Sequence, residues 1–219
     1  MIIAIDGPAG AGKSTVAKLL SQKLRFLYID TGAMYRALTL KALDQGLATT
    51  DIKAIIGLAL TSSINLINNP DGTLRVLLDG LDVTSAIRQP RITQFVSEVA
   101  KIADVRKVMV ESQRKLGGAG DAVLDGRDIG TVVFPDATKK FYIDADFKER
   151  VKRRYKESTG LGQNVTLEDI SGDLSNRDRI DSNRKVAPLK KAPDAIYVDT
   201  TNLSIEEVVD RLLREVKGR

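Results

Sequence analysis

Residues 1–15 read Met-Ile-Ile-Ala-Ile-Asp-Gly-Pro-Ala-Gly-Ala-Gly-Lys-Ser-Thr, and no other stretch restricts the possible folds so severely. Ile2, Ile3 and Ile5 form a β-branched run that predicts a buried strand. Gly7 to Ser14 fits the pattern G-x-x-x-x-G-K-[ST], and residues 16–24 recur with helical period, carrying Val16, Leu19, Leu20 and Leu24 on one side. Strand, glycine loop and helix in succession is the setting in which that pattern holds phosphate. Gly7, Gly10 and Gly12 can take backbone angles closed to residues with a Cβ, so the loop they share with Pro8, Ala9 and Ala11 can curl and aim its N–H groups inward. An anion there also meets the positive end of the following helix. Lys13 can reach the β- and γ-phosphates, the Ser14 hydroxyl can ligate Mg²⁺, and Gly7 to Thr15 are together the expected donor-nucleotide contacts. The stretch predicts a nucleoside triphosphate site.

Five short apolar runs predict buried parallel strands at residues 2–6, 26–30, 122–125, 140–144 and 195–199, and each ends in an aspartate. Helical patterns alternate with them, which argues for right-handed crossovers and an α/β, doubly wound, five-stranded parallel sheet. A ligand in such a sheet lies beyond the carboxyl ends of the strands, where these aspartates stand. Asp144 and Asp199 read as turn and cap chemistry. Asp125, followed directly by Gly126-Arg127-Asp128, reads as functional. Thr31 is expected to cap a helix over 32–45, and a second helix is expected over 52–63. Residues 64–84, with turns at 69–72 and 79–80, then predict a small antiparallel insert. Helical period returns over 91–116 with a break near 103–104. Charged helices follow at 146–158 and 167–184 around a Gly160-Leu-Gly162 hinge, and a last helix at 204–216 opens on a Ser204/Glu207 capping box.

The chain of 219 residues is expected to form one domain over 1–219, with an acceptor-binding region at about 31–115 and a mobile helical lid at about 147–185. Cysteine and histidine are both absent, which excludes disulfides and thiolate metal sites and removes the commonest general base. No apolar run approaches the roughly 20 residues of a membrane span, so a soluble cytoplasmic protein without a membrane partner is expected. The net charge of +5 is local: residues 147–191 hold twelve Lys/Arg against seven Asp/Glu, and the rest of the chain balances. That distribution favours a small polyanion over a nucleic acid.

The basic residues fall in patterned sets. Arg150, Arg153 and Arg154 share one helix face, as do Arg177, Asp181 and Arg184, while Arg36 and Arg127 follow the second and third predicted parallel strands. Planar guanidinium groups suit bidentate capture of phosphate. A kinase acting on an alcohol usually needs a base. An acceptor that is itself a phosphate needs its charge neutralised instead, so an arginine-rich, histidine-free chain suits phosphate-to-phosphate transfer. No Asn-Lys-x-Asp run for guanine recognition is present.

Gly7 to Thr15, Asp30-Thr-Gly-Ala-Met-Tyr-Arg36, the run from Asp125-Gly-Arg-Asp to Pro135, and Arg177, Asp181 and Arg184 followed by Val186-Ala-Pro together resemble the bacterial cytidylate kinases, in the same order over nearly the whole chain. The resemblance implies a nucleoside monophosphate kinase fold with an antiparallel insert, and transfer of the ATP γ-phosphoryl to CMP or dCMP with Mg²⁺. It implies acceptor contacts from Thr31, Arg36 and Arg127, cytosine contacts from Ser97, Arg106 and Asp128, and acceptor phosphate and ribose contacts from Arg177 and Asp181, with Arg184 on the same face. It also implies donor-phosphate contacts from Arg150, Arg153 and Arg154; Lys13, Arg127, Arg150 and Arg154 are the expected catalytic groups. A monomer is expected. The alternatives are a kinase for UMP or an alcohol, and an NTP-dependent protein that binds nucleic acid.

Overall fold

Alternation along one strand decides which layers can form. In β1 (Ile2–Asp6), Ile3 and Ile5 face one way and Ala4 the other, and all three are fully buried, so the strand must be covered on both faces. In the computed structural model, which describes residues 1–218, it is. Helix α1 (Lys13–Leu24) leads to β2 (Leu27–Asp30), α2 (Thr31–Asp44) and α3 (Ile52–Thr61). An antiparallel trio follows, β3 (Ile64–Asn68), β4 (Leu74–Leu78) and β5 (Leu81–Asp82), and then a 3₁₀ turn, Ala86–Arg88. Helices α4 (Pro90–Ala100) and α5 (Ala103–Gly117) precede β6 (Ala122–Asp125), a π-helical turn (Ile129–Val133) and β7 (Lys139–Asp144). The chain closes with α6 (Phe147–Gly160), α7 (Leu167–Asn183), β8 (Ile196–Asp199) and α8 (Ile205–Lys217).

The main sheet runs β2-β6-β1-β7-β8 with every pairing parallel. On one face, Val16 and Leu20 of α1 and Val208, Val209 and Leu212 of α8 pack on Ile3, Ile5, Phe141, Ile143 and Val198. On the other, Val110 of α5 meets Ala4, Ile29 and Leu124. Truncating a fully buried leucine such as Leu20 to alanine costs about 2–5 kcal/mol. All five strand-terminal aspartates therefore stand at the same edge of the sheet. As expected, two serve turns there: Asp144 Oδ1 accepts from Ala145 N and Asp199 Oδ1 from Thr201 N.

The antiparallel sheet, in the order β3-β4-β5, is fastened to the edge strand β2 by one side chain. Tyr28 N donates to Asn68 Oδ1 at 3.1 Å and Asn68 Nδ2 donates to the Tyr28 carbonyl at 3.0 Å, so the amide replaces a missing backbone neighbour.

Several boundaries differ from expectation for local reasons. Asp30, not Thr31, caps α2: its Oδ1 accepts from Ala33 N at 2.8 Å, while the Thr31 hydroxyl donates to the Asp125 carbonyl at 2.7 Å. The helical break falls at Lys101–Ile102, because the chain is extended at Ile102, the N-cap of α5. The basic helix runs on to Gly160, and the π-turn carries no sequence periodicity that could announce it. The Ser204/Glu207 capping box forms as expected. Among the described residues, no helix is long and apolar enough to cross a membrane.

Candidate active site

The glycine loop leaves β1 between two neighbouring strands and enters α1 with Gly12 in the left-handed region (φ 88°). Gly7, at φ 146°, passes so close to β7 that an added Cβ would lie 1.9 Å from the Ile143 carbonyl oxygen. Only glycine fits there. Lys13 is buried and folds back, donating from Nζ to the Pro8 carbonyl at 2.5 Å. Burial, and then Arg127 nearby, push its ammonium well below the usual lysine range. Ser14 Oγ donates to Asp125 Oδ2 at 2.7 Å, and the Tyr28 hydroxyl donates to Asp125 Oδ1 at 2.9 Å. Burial, reinforced by the charge of Asp30, raises the Asp125 carboxyl above its ordinary value. A carboxylate so placed, touching a serine hydroxyl at a phosphate loop, is what a divalent cation would relieve. The donor set therefore fits Mg²⁺ carried in with phosphates. Among the described residues, no group of three or more His, Cys, Asp or Glu side chains could hold a metal by itself.

One cavity of about 750 Å³ extends from this loop. It is lined by residues 9–16 of the loop, by Asp30, Asp125 and Gly126, and by Leu74, Val76 and Thr84 of the antiparallel region. Arg36, Arg127, Arg154 and Arg177 line it together. Arg36 is pushed down to about 9 by burial, then by Arg177 and Arg154; Arg177 is lowered by burial, then by Arg127. Neither Arg154 Nε nor Arg177 Nε has a hydrogen-bond partner. Arg127 is different: burial works against its charge, but Asp181, accepting from Nε at 2.9 Å, more than compensates and raises it. The four guanidinium groups crowd one another around open space.

Behind the cavity, Asp128 accepts from Arg106 Nη2 at 2.5 Å and from Arg184 Nη2 at 3.4 Å, and the Arg106 guanidinium lies 5.4 Å over the Tyr35 ring. All of these side chains are buried and none lines the cavity. Asp181, also buried, completes the group 3.8 Å from Arg184 Nη1. The structure thus brings Arg106, Asp128, Asp181 and Arg184 together, while Ser97, buried on α4, makes no side-chain hydrogen bond to them. The backbone of the π-turn aims Asp128, and Asp6 holds that turn by accepting from Ile129 N and Gly130 N, both at 2.8 Å.

The three arginines of α6 separate. Arg153 and Arg154 line the cavity, with Arg153 donating from Nη2 to the Thr200 carbonyl at 2.6 Å. Arg150 does not: its side chain is turned against the loop from outside. Sequence reasoning missed the segment after β8, where residues 200–205 and Val208 line the cavity beside Gly12 and Val16. Its signal was present, since Asp199-Thr-Thr-Asn follows a strand whose carboxyl end faces the crevice.

Four guanidinium groups crowded on one cavity, two of them with an unpartnered Nε, beside a phosphate loop at the carboxyl edge of a parallel sheet, place the chain among the P-loop phosphotransferases. The relatives narrow the class. The family model described as cytidylate kinase matches residues 3–218. The cytidylate kinase of Geobacillus sp. (strain WCH70) is 52% identical over 217 residues, covering 99% of this chain and 96% of that one. That of Bacillus subtilis (strain 168) is 48% identical over 217 residues, with coverage of 99% and 96%. The chain belongs to the cytidylate kinase family. A solved structure of an uncharacterized protein from Eubacterium ventriosum ATCC 27560 shares the fold, with a TM-score of 0.53 at 14% identity over 100% of this chain and 99% of that chain.

Proposed function

We propose that the protein transfers the γ-phosphoryl group of ATP to CMP and dCMP, giving CDP and dCDP. The observation that carries this reading is the set Arg36, Arg127, Arg154 and Arg177, which faces the end of the phosphate loop across one cavity. A donor triphosphate and an acceptor monophosphate bring negative charge to the same few ångströms. Four crowded cations lower the cost of that approach.

In this reading residues 7–15 hold the donor phosphates through backbone N–H groups and Lys13, with Arg153 and Arg154 closing from α6. Lys13 leaves the Pro8 carbonyl for the phosphates, exchanging a neutral acceptor for a charged one. Arg36, Arg127 and Arg177 hold the acceptor phosphate, and Asp181 keeps Arg127 oriented. Thr31 supports this edge indirectly, through the Asp125 carbonyl. Asp128, with Arg106 and Arg184, reads the cytosine edge where carboxylate and guanidinium together match an amine and a ring acceptor, and Ser97, buried on α4, is assigned to the same base. Ser14 and Asp125 would hold Mg²⁺, which would supply neutralisation of the phosphate charge during transfer. The acceptor arrives already ionised, so no side chain needs to remove a proton.

The acceptor-binding part at about 31–115 and the lid at about 147–185 belong to one domain over 1–219, and Gly162, at φ 73°, follows the end of α6 as a flexible joint in the lid. Closure of the lid over both nucleotides excludes water that would otherwise hydrolyse ATP.

A coupled assay of ADP formation against CMP, dCMP, UMP, AMP, GMP and shikimate tests the reading. Turnover is expected with CMP and dCMP well above the others. Preference for UMP or an alcohol, or ATP hydrolysis independent of any acceptor, overturns it.

A further inference from the structure

The helix spacing of Arg150, Arg153 and Arg154 suggests three equivalent phosphate ligands, but the contacts of Arg150 are of another kind. Arg150 is 7% exposed and points away from the cavity. Its Nε donates to the Ala145 carbonyl at 3.1 Å, and its Nη1 donates to the Ala9 carbonyl at 3.0 Å and to Asp178 Oδ2 at 2.6 Å. The guanidinium lies 5.2 Å over the Phe147 ring. One side chain therefore joins the glycine loop, the start of α6 and the middle of α7.

Which atom it holds in the loop matters. In a planar trans peptide the C=O and N–H point in opposite directions, so fastening the Ala9 carbonyl on the outer side aims the Gly10 N–H inward. A second loop carbonyl is also fastened, since Ala11 accepts from Thr200 Oγ1 at 3.3 Å. The approach is close, since a Cβ on Gly10 would stand 3.2 Å from both the Arg150 Cβ and the Arg150 carbonyl oxygen. Asp178 is the next residue after Arg177, which lines the cavity, and lies three before Asp181.

We propose that Arg150 is a positioning residue for the donor loop. Braced by Asp178, it presents the loop's N–H groups to the donor phosphates and ties the loop to the helix that carries the acceptor-side residues, without itself touching the transferred phosphoryl group. The proposal rests on the reading of the loop as the donor-phosphate site. Its test includes a measurement on the nucleotide-free protein, so the two can fail separately.

Arg150→Met, Arg150→Lys and Asp178→Asn are compared with the unchanged protein. Amide hydrogen exchange over residues 9–12 is measured without nucleotide, ATP affinity by calorimetry, and kcat and KM with CMP. In both Arg150→Met and Asp178→Asn, exchange in the loop is expected to accelerate about tenfold or more and ATP affinity to fall about tenfold, with kcat changing much less. Arg150→Lys, which keeps one donor and the charge, recovers part of both, and the double variant is no worse than Arg150→Met alone. A direct catalytic role gives the opposite pattern: kcat falls about a hundredfold or more with unchanged loop exchange and ATP affinity, and Asp178→Asn is silent. That result overturns the proposal. A wild-type protein that binds ATP yet leaves CMP unphosphorylated removes the functional reading, while loop exchange still decides the role of Arg150.

Discussion

Ser14 Oγ donates to Asp125 Oδ2 at 2.7 Å across a sequence separation of 111 residues. The contact exists because β1 and β6 are parallel neighbours in register, Ile5 opposite Asp125, so the loop after one strand curls over the end of the other. Tyr28 on β2 takes the second carboxylate oxygen. Three strands thus converge on one buried acid whose charged form burial disfavours.

Asp125→Asn keeps the shape and removes the charge. Its turnover is expected to fall about a hundredfold or more, and the Mg²⁺ concentration for half-maximal rate to rise. Initial rates across a Mg²⁺ titration decide. An unchanged Mg²⁺ requirement would separate Asp125 from the metal.

The crowded arginines set function against stability. Arg177 is buried, carries an unpartnered Nε and is lowered by burial and by Arg127, so its charge is unfavourable in the nucleotide-free fold. Arg177→Met fills similar space without charge. It is expected to raise nucleotide-free stability by about 1 kcal/mol while raising the KM for CMP at least about tenfold. Thermal unfolding and steady-state kinetics on the same preparation test both halves; a lowered Tm contradicts the account of the cluster.

The local half of this site was legible in the sequence because its spacing is local. The glycine loop and its helix, the aspartate at each strand end and the i, i+4 arginine sets follow from fixed periods of backbone geometry. Choices between near-equal local options were not. Asp30 and Thr31 are both competent caps, and only the Asp125 carbonyl, brought up by β6, draws the Thr31 hydroxyl away. Helix spacing gathers Arg150, Arg153 and Arg154 on one broad stripe, but packing against Phe147 and Ala9 decides which turns inward. The contribution of residues 200–205 depends on β8 lying beside β7, a pairing of distant segments that no period encodes. The π-turn at Ile129–Val133 is set by Asp6, more than 120 residues earlier.

Asp128 joins Arg106 and Arg184 where all three are buried. Asp128→Ala leaves the buried Arg106 without its carboxylate and Arg184 with only Asp181, 3.8 Å away, and is expected to cost about 3–5 kcal/mol. Asp128→Asn keeps an acceptor for one of them. In that variant the KM for CMP is expected to rise at least about tenfold with the KM for ATP nearly unchanged. An effect confined to ATP would place Asp128 on the donor side.

Burial of Asp6 is expected to give the fold a pH dependence of definite sign. Burial pushes its carboxyl up to about 6, outweighing the two backbone N–H groups that favour the charged form. The folded chain therefore takes up this proton before the unfolded chain does. The stabilising contribution is complete below about pH 4, the unfolded value, and is lost as pH rises through about 6. A shift of this size corresponds to roughly 3 kcal/mol between those limits. Asp6→Asn cannot titrate, so its stability relative to the unchanged protein should improve by that amount between pH 4 and pH 7, whatever constant offset the lost N–H acceptor introduces. Denaturant unfolding of both proteins at several pH values measures the difference directly, and most other carboxylates cancel in it. If the difference does not vary with pH, or varies in the opposite direction, Asp6 is charged throughout, and the turn that aims Asp128 is held by a carboxylate rather than by a carboxylic acid at the lower end of the range.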